Sequence, residues 1–220
     1  MNSSTKVFRL AMLTLGIALA GCAGTQPALY SGIDSSSQLR PNSGDESHRI
    51  PYRYATPVDW KQYANVIIEP VVIYQGADNQ FDDIEQDDRQ ALALYMQNTF
   101  INTLKTRFQQ VNAAAPHTLR IRLTLTGAET TTPVAGTVTK FDLAGGPYNI
   151  VQSIRGKQGM LGGSVSYAVE IYDAQTNRLL NAYVAKQYPN ALNVGATIGS
   201  LSAAEVGIDK GAEELLELLK

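Results

Sequence analysis

Apolar side chains recur along the chain in two different periods. Within residues 82–111, Ala93, Met96, Phe100, Leu104 and Phe108 fall three or four positions apart, with Gln97, Asn98, Lys105 and Gln109 off that stripe. This spacing predicts a helix with one buried face. Asp82, Asp83, Glu85, Asp87 and Asp88 precede or open it, where negative charge complements the helix dipole, and Asp87 with Gln90 has capping-box spacing. A calcium loop would need an Asp-x-Asp-x-Asp-Gly order that the run lacks. A second helix is predicted from Ser202 to the end of the chain. It opens on Ser202-Ala203-Ala204-Glu205, a capping box, and carries Ile208, Ala212, Leu215 and Leu219 on one stripe.

The other period is two. Leu119, Ile121, Leu123 and Leu125 alternate with Arg120, Arg122, Thr124 and Thr126, as in a strand with one buried face. Val165, Tyr167, Val169 and Ile171 alternate in the same way with Ser166, Ala168, Glu170 and Tyr172. Turn chemistry at Asp173-Ala174-Gln175-Thr176-Asn177 then returns the chain through residues 179–188 as the second arm of a hairpin. Residues 65–74 hold Val66, Ile67, Ile68, Val71, Val72 and Ile73, a strand covered on both sides, in which Pro70 demands an irregularity at Glu69-Pro70.

The expected fold is therefore α/β (α+β), a four-stranded mixed sheet in β-α-β-β-β-α order with two helices packed on one face. The strand-helix-strand unit would be parallel with a right-handed crossover, and the hairpin antiparallel. The opposite face, with Arg120, Arg122, Glu170 and Tyr172, would stay partly exposed, either as cross-strand Arg–Glu pairs or as a partner-binding surface. Residues 127–163 form a long Gly-rich connection, which is either a mobile loop or the first place to look for activity.

Ahead of the predicted domain the pattern changes twice. Lys6 and Arg9 precede eleven uncharged residues, 10–20, which as a helix would span about 16 Å, roughly half the hydrocarbon core of a membrane. That is the make-up of an export signal. Leu19-Ala20-Gly21-Cys22 overlaps the end of this run and resembles the lipobox of bacterial lipoprotein precursors. The resemblance implies cleavage after Gly21, an S-diacylglycerol and an N-acyl group on Cys22, and, with Ala23 rather than Asp next, sorting to the outer membrane. Residues 22–50 then read as a lipidated tether rich in Ser, Gly, Asn, Gln and Pro. A random coil of that length spans about 30 Å. Tyr30, Ile33 and Leu39 are larger than a spacer needs, so the tether is either free or partly docked on a single periplasmic domain over residues 51–220.

Composition narrows the chemistry. Lys+Arg at 18 against Asp+Glu at 20 gives no basic excess for nucleic acid, and loss of Lys6 and Arg9 with the signal makes the balance more acidic. Two histidines and one cysteine build neither a Cys/His zinc site nor an internal disulfide. Gly156-Lys157 lacks the Ser or Thr and the leading Gly of a phosphate loop, since Gln158 and Val151 stand there. There is no Gly-x-Ser-x-Gly elbow. His48 lies in the tether and His117 just before a strand, so neither reads as a general base. No catalytic residue, metal or cofactor is expected beyond the lipid on Cys22.

The segments from Tyr30-Ser31-Gly32 through Leu39-Arg40-Pro41, the strand with Glu69-Pro70-Val71, the helix after it, residues 119–129, Gly163-Ser164 and the Asp173-Ala174 turn resemble a family of bacterial lipoproteins known as domain of unknown function 3313. The resemblance brings no catalytic residues. It implies that residues 30–41 belong to the folded unit. The expected function is a non-enzymatic envelope interaction or assembly protein, held to the membrane by its lipid. The alternative, a subunit of an oligomeric secretion or export pore, needs a membrane-spanning strand, and residues 134–143, with Lys140 and Asp142, are a poor one.

Overall fold

The computed structural model describes residues 26–45, 47–81, 84–131, 151, 162–190, 193 and 199–220. The lipobox with Cys22, the acidic pair Asp82 and Asp83, and residues 134–143 lie outside them. Among the described residues ten strands and helices follow one another, with a 3-10 turn at Trp60–Gln62 between the second and third: β1 (Arg40–Pro41), β2 (Tyr52–Ala55), β3 (Asn65–Ile68), β4 (Val72–Ile73), α1 (Gln86–Leu104), β5 (Gln109–Gln110), β6 (Thr118–Glu129), β7 (Ser164–Asp173), β8 (Leu179–Gln187) and α2 (Ser202–Leu218).

The class is the expected α+β, but the sheet is larger than the expected four strands. Eight strands pair in the order β1-β2-β8-β7-β6-β3-β5, with β4 also on β6. The additional strands are too short to print a clear period. β1 and β5 have two residues each, and β2 shows only Tyr52-Arg53-Tyr54, antiparallel to β8. The long pairings follow the pattern. β6, β7 and β8 form an antiparallel run, while β3 lies parallel to β6 across the α1 crossover.

The irregularity demanded by Pro70 is a bulge. Ile68 faces Ile121 and Val72 faces Thr124, so four steps along β3–β4 match three along β6. Proline has no N–H to donate, and the following amide of Val71 is satisfied by Gln97 Oε1 of α1 at 2.7 Å.

Both helices cover one face. Leu92, Met96, Phe100 and Leu104 of α1 and Ile208, Ala212 and Leu215 of α2 close over Leu119, Ile121, Leu123, Leu125, Tyr167 and Val169 in one buried cluster. Gly211 lets α2 approach closely, since a Cβ there would lie 1.8 Å from the Tyr167 hydroxyl oxygen. The helix limits differ from the spacing argument. α1 stops at Leu104 because the chain must turn back to the sheet, where Gln109 N–H reaches Ala64 O at 3.0 Å. Phe108 extends the apolar stripe from that turn. Neither predicted capping box forms. Glu85 and Leu201 occupy the N-caps without a side-chain bond, and Asp87 and Ser202 already lie inside their helices.

Candidate functional site

The second face of the sheet is largely covered. Residues 30–41 run across it as a strap. Tyr30, Ile33 and Leu39 are buried there with Tyr74, Ala168, Tyr172, Leu179, Ala182 and Val184. Tyr30 packs edge-on against Tyr74 with centroids 5.3 Å apart and donates to Gln80 Oε1 at 2.7 Å. Burial pushes its hydroxyl up to about 12. Tyr74 in turn donates to Asp78 Oδ1 at 2.7 Å and accepts from the Gly32 amide at 3.0 Å. Directional bonds therefore hold a segment that has no helical or strand period of its own.

Arg120, Arg122, Glu170 and Tyr172 are brought together on this face. Register sets Arg120 opposite Tyr172 and Arg122 opposite Glu170. Yet neither arginine pairs with Glu170. Strand alternation turns Glu69, beside the bulge, to the same face, and it takes both: Arg120 Nη1 at 2.6 Å and Arg122 Nε at 2.7 Å. Arg122 also reaches Asp34 of the strap, and Arg120 reaches Asn177 of the β7–β8 turn. The Arg120 guanidinium lies 4.4 Å over the Tyr172 ring. Burial pushes the Glu69 carboxyl up, but the hydrogen bonds from Arg122 and Arg120 outweigh it and hold it below its ordinary value. Arg122 is raised, chiefly by its bond to Glu69. Tyr172 is raised by burial and then by the Glu170 charge.

The expected partial exposure holds for Arg120 and Arg122, which are half-buried, but not for Glu170 and Tyr172. Glu170 is 1% and Tyr172 7% exposed, because the strap lies over them, and Ser35 N–H bonds Glu170 Oε1 at 2.6 Å. What remains open is a cleft of about 650 Å³ between the strap and β4, with Ile33, Pro70, Val72, Tyr74 and Arg122 among its walls and Glu170 at its back. Sequence reasoning missed Glu69, Asp34 and Ser35. Glu69 could have been found from its place opposite Arg122 in a parallel pair, whereas nothing local announces Asp34 or Ser35.

A second polar group sits where β6 ends and β7 begins, at the two described ends of the connection expected over residues 127–163. Buried Lys186 pairs with Glu129 at 2.7 Å, and Arg49 bonds Gln187 Oε1 at 3.0 Å. Gln187 also bonds Glu214, whose carboxyl burial raises. Gly127 lies within β6, and Gly163 immediately precedes β7. His117 takes a left-handed turn before β6 and His48 another in the β1–β2 connection. Among the described residues no group of three or more His, Cys, Asp or Glu side chains is placed to hold a metal, and no helix is long and apolar enough to cross a membrane.

The model of the family described as "Protein of unknown function (DUF3313)" matches residues 29–215. The chain belongs to this family. The match starts at the strap, one residue before Tyr30, so the family unit includes the segment that covers the second face. No curated protein sequence matches the chain. Two solved structures, both PelC dodecamers from Paraburkholderia phytofirmans and one of them a variant, are similar at 12% and 11% identity with TM-scores of 0.40 and 0.39; each alignment covers 74% of this chain and 94% of the other.

Proposed function

We propose that this family member is a lipid-anchored lipoprotein of the bacterial outer membrane, with its folded domain in the periplasm, acting by binding an envelope partner rather than by catalysis. The observation that carries this reading is Leu19-Ala20-Gly21-Cys22 at the end of an eleven-residue uncharged run that closes on Ala20. Each buried methylene of an acyl chain contributes about 0.8 kcal/mol, and two or more chains anchor stably. The fold supports a short connection to such an anchor. The Gln26 carbonyl already accepts from Gln80 Nε2 at 2.8 Å, and four residues from Cys22 to Gln26 reach at most about 14 Å. The domain would therefore stand close to its membrane, not at the end of a coil of about 30 Å.

Intact-mass measurement of the chain purified from the membrane fraction of a bacterial host tests this. A mature chain that starts at Cys22 and carries acyl groups is expected, with Cys22→Ala shifting the protein out of the membrane fraction. An unmodified Cys22, or unchanged fractionation of the variant, contradicts it.

A further inference from the structure

The cleft beside the strap has chemistry of its own. Glu170 is 1% exposed and stands at its back; Oε1 accepts from Ser35 N–H at 2.6 Å, while Oε2 has no hydrogen-bond partner. The Tyr172 hydroxyl lies beside the carboxylate, whose charge and hydrogen bonding both raise it after burial, but no donor reaches Oε2 itself with hydrogen-bond geometry. A buried carboxylate oxygen left without a donor is costly, so a site that offers one favours a ligand able to donate. The charge around it selects the donor. Three carboxylates, Asp34, Glu69 and Glu170, line the cleft against the single guanidinium of Arg122. Arg122 is already committed to Glu69 and Asp34, and Glu69 is shared with Arg120, whereas Glu170 enters no ion pair among the described residues. Ile33, Pro70, Val72, Ile73 and Tyr74 give the cleft an aliphatic and aromatic lining beside Gln75 and Thr124, and Val72 is 50% exposed. The volume falls in the range of small-ligand clefts.

We propose that this cleft binds a primary ammonium group carried on an aliphatic stem, with the stem along Val72 and Pro70 and the ammonium donated to Glu170. A free alkylamine and a lysine side chain of a protein partner share that chemistry. The inference does not depend on the lipid anchor.

The test is calorimetric titration of the full chain in detergent, acylated or not, with n-butylamine and with its uncharged counterpart n-butanol, followed by amide chemical shifts. Saturable binding of butylamine is expected, with shift changes confined to residues 32–35, 69–76, 122–124 and those around Glu170, and no saturable binding of butanol. Glu170→Gln keeps an acceptor for Ser35 N–H and removes the charge, and should weaken butylamine by about tenfold or more. Val72→Trp, a change at a half-exposed position away from the carboxylate, should narrow the mouth and weaken it as well, and serves alone if Glu170→Gln does not fold. A short lysine peptide is titrated beside its norleucine form. Tighter binding of the lysine form than of butylamine assigns a protein side chain as the ligand, and equal binding assigns a free amine. Equal affinity for butanol, no saturable binding of butylamine, or affinity unchanged in both variants overturns the proposal.

Discussion

One strand serves two differently built faces. Toward the helices, β6 presents Leu119, Ile121, Leu123 and Leu125, all fully buried, and they meet side chains of α1 and α2 that are nearly all apolar. Toward the strap it presents Arg120, Arg122, Thr124 and Thr126, closed over by Tyr30, Ile33 and Leu39 together with ion pairs to Glu69 and Asp34. The first face draws on the removal of apolar area from water, which needs no particular geometry and tolerates a helix pressed on a sheet. The second draws on a few side chains and on bonds that work only in one arrangement. Such a face is the one that can keep a cleft, and also the one that should open first.

Substitutions on each face should separate these two plans. The largest effect belongs to the helix side. Phe100→Ala removes a fully buried ring that packs edge-on against Tyr167 with centroids 6.0 Å apart, and should cost about 3–5 kcal/mol in chemical denaturation, lowering the stability of the whole domain. On the strap side, Tyr30→Ala should cost about 2–3 kcal/mol, seen as local loss of amide protection near residues 30–39 with the helices little changed. Smaller again is Arg122→Met. It frees Asp34, which is largely exposed, and leaves Glu69 still paired with Arg120, so about 1 kcal/mol is expected, with faster exchange of the strap amides.

Acid should act on the same side. The Glu69 carboxyl is held below its unfolded value of 4.5, so its contribution is fully present above that pH and is lost as pH falls through the lower folded value. An acid titration followed by tyrosine fluorescence and strap exchange should show the strap loosening in that window before the helix face unfolds. Glu69→Gln should remove that part of the acid dependence.

The same contrast explains what could be read from the residues. The helix-side core was legible almost residue by residue, because burying one face of β6, β7, α1 and α2 imposes periods of 2 and 3.6. The bulge was legible from Pro70, which cannot donate to a ladder. The cover of the second face was not. Tyr30, Ile33 and Leu39 follow no period, since turns rather than a regular element carry them, and Leu39 N–H, for one, bonds Ser35 O at 3.1 Å. Charge on alternate positions of β6 suggested solvent, whereas Glu69 and Asp34, brought in by tertiary structure from elsewhere in the chain, made a covered face affordable for two arginines. The capping boxes failed for a related reason: spacing alone does not say which residue begins the helix.

Native-state hydrogen exchange of the full chain, read for both faces in one experiment, tests the two-plan account most directly. Slow exchange of Ser35 and Leu39 amides in the unaltered protein is predicted, with Tyr30→Ala abolishing that protection while amides of α1, β6 and β7 keep theirs. Unprotected Ser35 and Leu39 amides in the unaltered protein, or an equal loss on both faces in the variant, would contradict it.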